Sequence, residues 1–377
     1  MSHTAEVKVD LSPSIIEFFS IIEDPRLERQ KKYPLINILI FTFVAILSDQ
    51  SSWYQIEEFC LCQLDWFSQF LDISSGVPSH DTFRRVLSIV DTTHLETAII
   101  QWLENQRADS SNQKRVISLD GKALRGTSWK IDERKLYVLN GWDATEKKFI
   151  GQLTIGDKTN EITAAPKMLE ALNLKNTVVT MDALLTQTEI AKKIIDGGGD
   201  YVMALKGNQG TLYEDIKLYF SEIEKGMSCY RTVEKNRGQV ETRVCTETKE
   251  IDWLLQKDKW PGLKSLYKLE SEIFKDGKIT KEERYYISSH DSGAQEKLNF
   301  SRSHWRIENS LHRVLDVHFK EDACQVHDRT AAANLSALRK IALTLLKQIE
   351  PKKTLISKLK RASYSAEFRA KCLKQKF

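Results

Sequence analysis

Residues 116–126 read VISLDGKALRG, and no other stretch restricts the fold as tightly. Val116, Ile117, Ser118 and Leu119 suit a buried strand and deliver Asp120 to its end, where Gly121 permits a tight exit and Lys122 and Arg125 add positive charge. A carboxylate at a sheet edge is costly to desolvate alone, so it needs a cation or a proton as partner, and Lys122 is one candidate. In isolation, an Asp that merely closes a βα turn reads the same way.

A second strand ends alike. Residues 177–181 (TVVTM) are followed by Asp182, then by a helical run over 184–196 and the stop Gly197-Gly198-Gly199. A third acid, Glu308, lies in HWRIENSLHRVLDVHF, where Ile307, Leu311, Leu315 and Phe319 recur at helical spacing. His304, Glu308 and His312 follow at four-residue steps beside that apolar stripe, which aims the glutamate towards the sheet. Three gathered carboxylates repel one another, and a hard divalent cation with oxygen ligands resolves the repulsion. Magnesium or manganese is the expected occupant. Two such ions about 4 Å apart activate a water or a 3′-hydroxyl and stabilise the leaving oxygen at a phosphodiester.

These residues also carry a resemblance. VISLDGKALRG, TNEI at 159–162, VVTMDA, GGDYVMALKGNQG at 198–210 and HWRIENSLHRVLDVHFKED at 304–322 resemble, in order, the motifs of the H-repeat-associated group of bacterial insertion-sequence transposases. The likeness runs from about residue 24 to about residue 345. It implies a ribonuclease-H-like core whose Asp, Asp and Glu bind the catalytic metals, here Asp120, Asp182 and Glu308. It also implies Mg²⁺ or Mn²⁺ as cofactor and double-stranded DNA (element ends and target) as partner, and because two ends must be paired, a homodimer in the paired-end complex is expected. In the wider group of transposases a Tyr and an Arg precede this Glu and a Lys follows it. Ser301 and His304 take the first two places here, and Leu315 the last.

The expected fold is α/β: a ribonuclease-H-like mixed sheet flanked by helices, interrupted by a β-rich insertion, with an all-helical N-terminal domain. Residues 1–10 read as polar and frayed, and 1–110 as a helical domain with DNA contact as its task. Within it, VPSHDTFRRVLSIV at 77–90 has Ser79 as N-cap and Phe83, Val86, Leu87 and Val90 as a buried face. Arg84 and Arg85 fit either the reading helix of a helix-turn-helix or plain packing. The first part of the core spans 111–210, with strands at 137–142 and 149–154 joined as a hairpin and a helix near 166–172. Residues 211–300 form the insertion, 301–350 the final part of the core with the Glu helix, and 351–377 a basic tail.

That tail holds nine Lys or Arg and one Glu, a local charge of +8 in a chain whose total is +4. It fits an arm on the DNA backbone or a solubilising terminus. Six scattered cysteines and no recognisable signal peptide point to reduced thiols and a cytoplasmic setting, nucleoid-associated when on DNA. The 14-residue apolar run at 34–47 is short of the roughly 20 residues that cross a bilayer, so it reads as a core helix and no membrane partner is expected.

Phosphate contacts are expected from Lys122, Arg125, Lys206, Asn208, Arg302 and Arg306, since Gly207 lets backbone approach an anion and the arginines flank Glu308. His304 and His312, about two helical turns or ~12 Å apart, do not suit one zinc ion and read as hydrogen-bonding or proton-handling neighbours of the acids. The leading function is a transposase that cuts element ends and joins them to target DNA. A metal-dependent nuclease without strand transfer, a retired transposase serving as a DNA-binding protein, and a carboxylate-metal phosphatase are the alternatives.

Overall fold

The computed structural model describes residues 13–107, 114–127, 135–156, 160–223, 226–236 and 238–374. The polar stretch 1–10, Thr159 of the TNEI motif, Arg237 in the turn after the first insertion strand and the last three tail residues lie outside them. The chain begins with helices α1 (Pro13–Ser20), α2 (Leu35–Leu47), α3 (Trp53–Cys62), α4 (Leu64–Phe67), α5 (His80–Leu87) and α6 (Thr92–Asn105). Strands β1 (Arg115–Leu124), β2 (Leu136–Asp143) and β3 (Lys148–Ile155) follow, then α7 (Glu161–Glu170), β4 (Thr177–Met181), α8 (Thr188–Asp196), β5 (Asp200–Leu205) and α9 (Thr211–Glu222). Strands β6 (Ser228–Asn236), β7 (Gln239–Thr248), β8 (Ser265–Lys275) and β9 (Lys278–Ser288) lead to α10 (Ala294–Ile307) and, after a π-helical turn at Glu308–His312, to α11 (Arg313–His318). Helices α12 (Arg329–Gln348), α13 (Leu355–Tyr364) and α14 (Ala366–Leu373) close the fold.

One nine-stranded sheet runs in the order β3-β2-β1-β4-β5-β9-β8-β7-β6. β1, β4 and β5 are mutually parallel, and β2 and β3 are antiparallel. This is the expected ribonuclease-H-like mixed sheet. The insertion is present but is not a sheet of its own: β9 pairs antiparallel with β5, so four long strands prolong the core sheet. β5 would otherwise present a free edge of unpaired backbone groups, and β9 covers it.

The sheet's two faces are read from alternation along the strands. Val179 and Met181 of β4, with Ile117 and Leu119 of β1, pack against Ala165 and Met168 of α7 and Ile190 and Ile194 of α8. Val178 and Val202 face the other way, towards Ala294 and Leu298 of α10. β4 is buried along its whole length, as a central parallel strand must be.

The N-terminal helices share a core with the C-terminal ones. Every residue of α2 except Ile36 is buried, and Phe41, Phe83, Ile99, Leu338 and Leu373 belong to one apolar cluster with Leu124 and Val138 of the sheet. Among the described residues no helix is long and apolar enough to cross a membrane. Phe83, Val86 and Leu87 are buried as the packing reading requires, and a 12-residue connection separates α4 from α5, too long for a helix-turn-helix. Ser79 holds the N-cap position of α5, but its hydroxyl lies 3.2 Å from Thr82 Oγ1 and caps no backbone N–H.

The tail is helical but packs onto the rest of the molecule rather than standing free as an arm. α13 and α14 bury Leu359, Ala362, Phe368 and Leu373, and Arg369 is only 1% exposed, donating to Ala362 O and Gln63. Lys358 donates to Leu346 O at 2.7 Å, while Arg361 and Lys371 pair with Glu350. Much of the tail's positive charge is satisfied within the molecule.

Candidate metal centre

Register brings the first two acids together. Leu119 of β1 pairs with Met181 of β4, so the next residues, Asp120 and Asp182, stand side by side. Asp182 follows the end of β4, but Asp120 lies within β1, which does not exit at Gly121 as its sequence suggested and runs on to Leu124 paired with β2. Asp120 also stands opposite Asn140 of β2. Asp182 Oδ1 accepts the backbone N–H groups of Leu184 and Leu185, each at 3.1 Å, which fixes the loop into α8. That loop is tied down by the segment after β5. Asn208 donates to Ala183 O at 2.7 Å, Gln209 to Thr186 O at 2.5 Å, and Thr186 Oγ1 to Ala204 O at 2.6 Å. Asn208, read from sequence as a phosphate donor, thus braces the backbone beside Asp182.

The third acid arrives on the helix that crosses the opposite face. Ile307, Leu311, Leu315 and Phe319 are buried, as their spacing predicted, but the backbone over Glu308–His312 is π-helical. Such a turn inserts a residue into the helical repeat and recurs at functional sites. His312 Nδ1 lies 2.8 Å from Glu308 Oε2 and 3.7 Å from Asp120 Oδ2, and its Nε2 is 3.2 Å from Asn140 Nδ2. Asp120, Glu308 and His312 each offer a ligand atom, and these atoms lie within 4.8 Å of one another. His304, one turn earlier, is turned instead towards β4, with Nδ1 3.4 Å from Thr180 Oγ1.

Charge repulsion marks the site. Burial, then the charges of Asp182, Glu308 and Glu161, push the Asp120 carboxyl up to about 7. The hydrogen bond with His312 holds Glu308 below the usual carboxylate range. Burial takes His304 down to about 4, so its ring is neutral at pH 7. The donor set fits a hard divalent cation: carboxylate oxygens and one imidazole, with like charges left uncompensated. In addition, the buried Asn140 Oδ1 has no hydrogen-bond partner among the described residues.

Lys122 is not the counter-ion of Asp120. It shares a face of β1 with Asp120 but lies one pleat further on, where Asp316 of α11 and Glu321 claim its ammonium, Glu321 Oε2 at 2.9 Å. It is 8% exposed and faces inward rather than towards a ligand outside. Burial alone would raise Glu321, yet Lys340, Lys122 and Arg339 bring it down to about 2. Arg302 is held by Glu234 of β6 through two hydrogen bonds, at 2.6 and 2.9 Å. Arg125 is exposed and lies 3.6 Å from Asp322. Lys206 borders a cleft with Asp182, Arg284, His304 and Trp305, and the exposed Arg306 lines the neighbouring one. Ser301 and Leu315 are buried, Ser301 bonded to the Tyr267 hydroxyl at 2.8 Å.

One acid near the centre has no counterpart in the sequence reading. Glu161 opens α7, five residues before the helix start that Pro166 indicated, because Asn160 and Thr163 form a reciprocal capping box. Its carboxylate lies over Gly121, where an added Cβ would overlap it. The Asn-x-x-Thr spacing from Asn160 of the TNEI stretch to Thr163 just after it was the available signal.

Residues 111–345 match the family described as Transposase DDE domain, and residues 16–103 the one described as DDE_Tnp_1-associated. The chain belongs to the DDE transposase family, in its H-repeat-associated group. It is 36% identical over 346 residues to the H repeat-associated putative transposase YhhI of Escherichia coli (strain K12), covering 88% of this chain and 90% of that one. The putative protein YbfL of the same organism matches at the same identity and coverage. An uncharacterized protein in the dhlA 3′ region of Xanthobacter autotrophicus is 37% identical over 285 residues, covering 74% of this chain and 95% of that one. Among solved structures, a cryo-EM structure of the piggyBac transposase synaptic complex with hairpin DNA aligns over 98% of this chain and 81% of that one, at 12% identity and a TM-score of 0.45.

Proposed function

We propose that this transposase is catalytically active, cutting DNA at the ends of its element and joining the freed 3′-hydroxyls to target DNA. The observation that carries this reading is the meeting of Asp120, Glu308 and His312 within 4.8 Å beside Asp182. Asp120, Asp182 and Glu308 would hold the divalent cations, Mg²⁺ or Mn²⁺. When bound, such ions lower the pKa of an attacking water and neutralise charge on the oxygen that leaves.

The protein's part is placement. β1 and β4 fix two carboxylates on a rigid sheet, and His312 orients the Glu308 carboxylate through its 2.8 Å hydrogen bond. In cleavage, a water oxygen bonds to phosphorus as the bond to the 3′ oxygen breaks. In joining, the freed 3′-hydroxyl attacks a target phosphorus and displaces that strand's own 3′ oxygen. Exposed Lys206, Arg306 and Arg125 are assigned to the DNA backbone, and the helices before β1 and the β6–β9 extension to holding the duplex. Two ends must be held at once, so the working form is a homodimer.

The test incubates the full chain with Mg²⁺ and DNA carrying the ends of its own element, then separates products on a denaturing gel. Nicked ends and joined products are expected, and both vanish with Asp120→Asn. Nicks without joined products would leave a nuclease. Binding without either would leave a retired, DNA-binding transposase.

A further inference from the structure

We propose that Glu161 is a fourth acidic member of this metal centre, reaching it from α7 on the side of the sheet opposite Glu308. The inference rests on the metal-dependent reading above and extends its ligand set. Asp120 and Glu308 meet on the α10 face, with Asp120 held from one side by His312. β1 alternates, so the next residue, Gly121, faces α7 instead. The space over Gly121 that any other side chain would fill is taken by the Glu161 carboxylate. β4 ends at Met181, and the charge of Asp182 in the loop that follows acts on the Glu161 carboxylate at the start of α7.

Glu161 has the hallmarks of a ligand rather than of a surface charge. It is half-buried, and burial and the charge of Asp182 both raise its carboxyl. Its charge in turn raises Asp120, and a carboxylate kept beside two others costs stability that a bound cation would offset. The glycine at 121 is explained by the same arrangement. Its φ is unexceptional, so a Cβ is excluded by the carboxylate and not by backbone strain.

Manganese binding to the metal-free full-length protein tests this without recourse to activity, by the loss of the free Mn²⁺ EPR signal on titration. Glu161→Gln keeps the shape and removes the charge. It is expected to weaken Mn²⁺ binding by roughly tenfold or more, while its melting temperature in EDTA stays at or above that of the parent. Gly121→Ala, which leaves Glu161 in the chain but displaces its carboxylate, is expected to weaken Mn²⁺ binding in the same direction. If Glu161→Gln binds Mn²⁺ as the parent does while Asp120→Asn binds it poorly, Glu161 is outside the centre and the inference falls alone. A lower melting temperature in EDTA with unchanged Mn²⁺ binding would assign it a structural role and equally overturn the inference. A parent that takes up no Mn²⁺ would remove the metal-dependent reading and this extension together.

Discussion

His312 Nδ1 stands 2.8 Å from Glu308 Oε2 across a single π-helical turn, with Asp120 Oδ2 at 3.7 Å from the same nitrogen. The imidazole therefore couples an acid on a helix to an acid on the central sheet. It is itself 3% exposed and anchored by Asn140, so the exposed Glu308 carboxylate is aimed by a buried group.

Replacing His312 by Ala removes that aim. The expected outcome is a roughly 10- to 100-fold loss of divalent-metal affinity with the fold retained. Calorimetric titration with Mn²⁺ checks it. Unchanged affinity would mean that Glu308 needs no orientation by His312.

Asp120 makes the metal-free protein pH-sensitive. Its carboxyl is raised from 3.8 to about 7 in the folded state, so between these values the native state holds a proton that the unfolded chain has released. Stability from this group is present at low pH and falls as pH rises towards 7. Glu96, buried and also pushed up to about 7, titrates in the same window, so the measurement is the difference from Asp120→Asn. In EDTA the variant should gain in melting temperature over the parent between pH 5 and pH 8, and saturating Mn²⁺ should reverse the order. A difference that does not vary with pH would contradict the raised carboxyl.

Lys122→Ala is expected to act on stability. It leaves Glu321, 2% exposed, with fewer of its cations, and breaking a buried pair in this way typically costs about 3–5 kcal/mol. Urea unfolding checks the loss. DNA affinity, measured on the fraction that remains folded at low temperature, should be unchanged.

Lys206→Ala and Arg306→Ala should instead leave unfolding midpoints unaltered. Each is expected to weaken binding to any duplex and to lower the slope of log affinity against log salt by about 1. Fluorescence anisotropy over a salt series reads both quantities.

Much of this arrangement was legible from residue order. The strand that ends before Asp182 and the apolar stripe through Ile307, Leu311 and Leu315 correspond to the observed strand and helix, whereas β1 runs past Asp120 to Leu124. These are local patterns, and local patterning survives into the fold. What escaped were choices between partners that distance along the chain conceals. Lys122 had a near acid in sequence, Asp120, yet pairs with Asp316 and Glu321, 194 and 199 positions away. Arg302 and Asn208 looked free for phosphate until Glu234 and Ala183 came within reach. Four-residue steps placed His304 and His312 on one side with Glu308, but His304 turns to Thr180 of β4, and only His312, across the π turn, joins the ligand group. The helix expected near 166–172 starts earlier, at Glu161, because Asn160 caps it, and Pro166 lies inside it. Charge counted along the tail likewise gave no sign that Arg369 and Lys358 are buried.

The central claim is that acids from β1, the end of β4 and the π turn share metal ions. Crystals of the full chain grown with element-end DNA and soaked in MnCl₂, with data collected at the manganese absorption edge, test it most directly. The account predicts anomalous peaks bounded by the carboxylates of Asp120, Asp182 and Glu308. Their absence at saturating Mn²⁺, or peaks held by other side chains while these three stand apart, would contradict it.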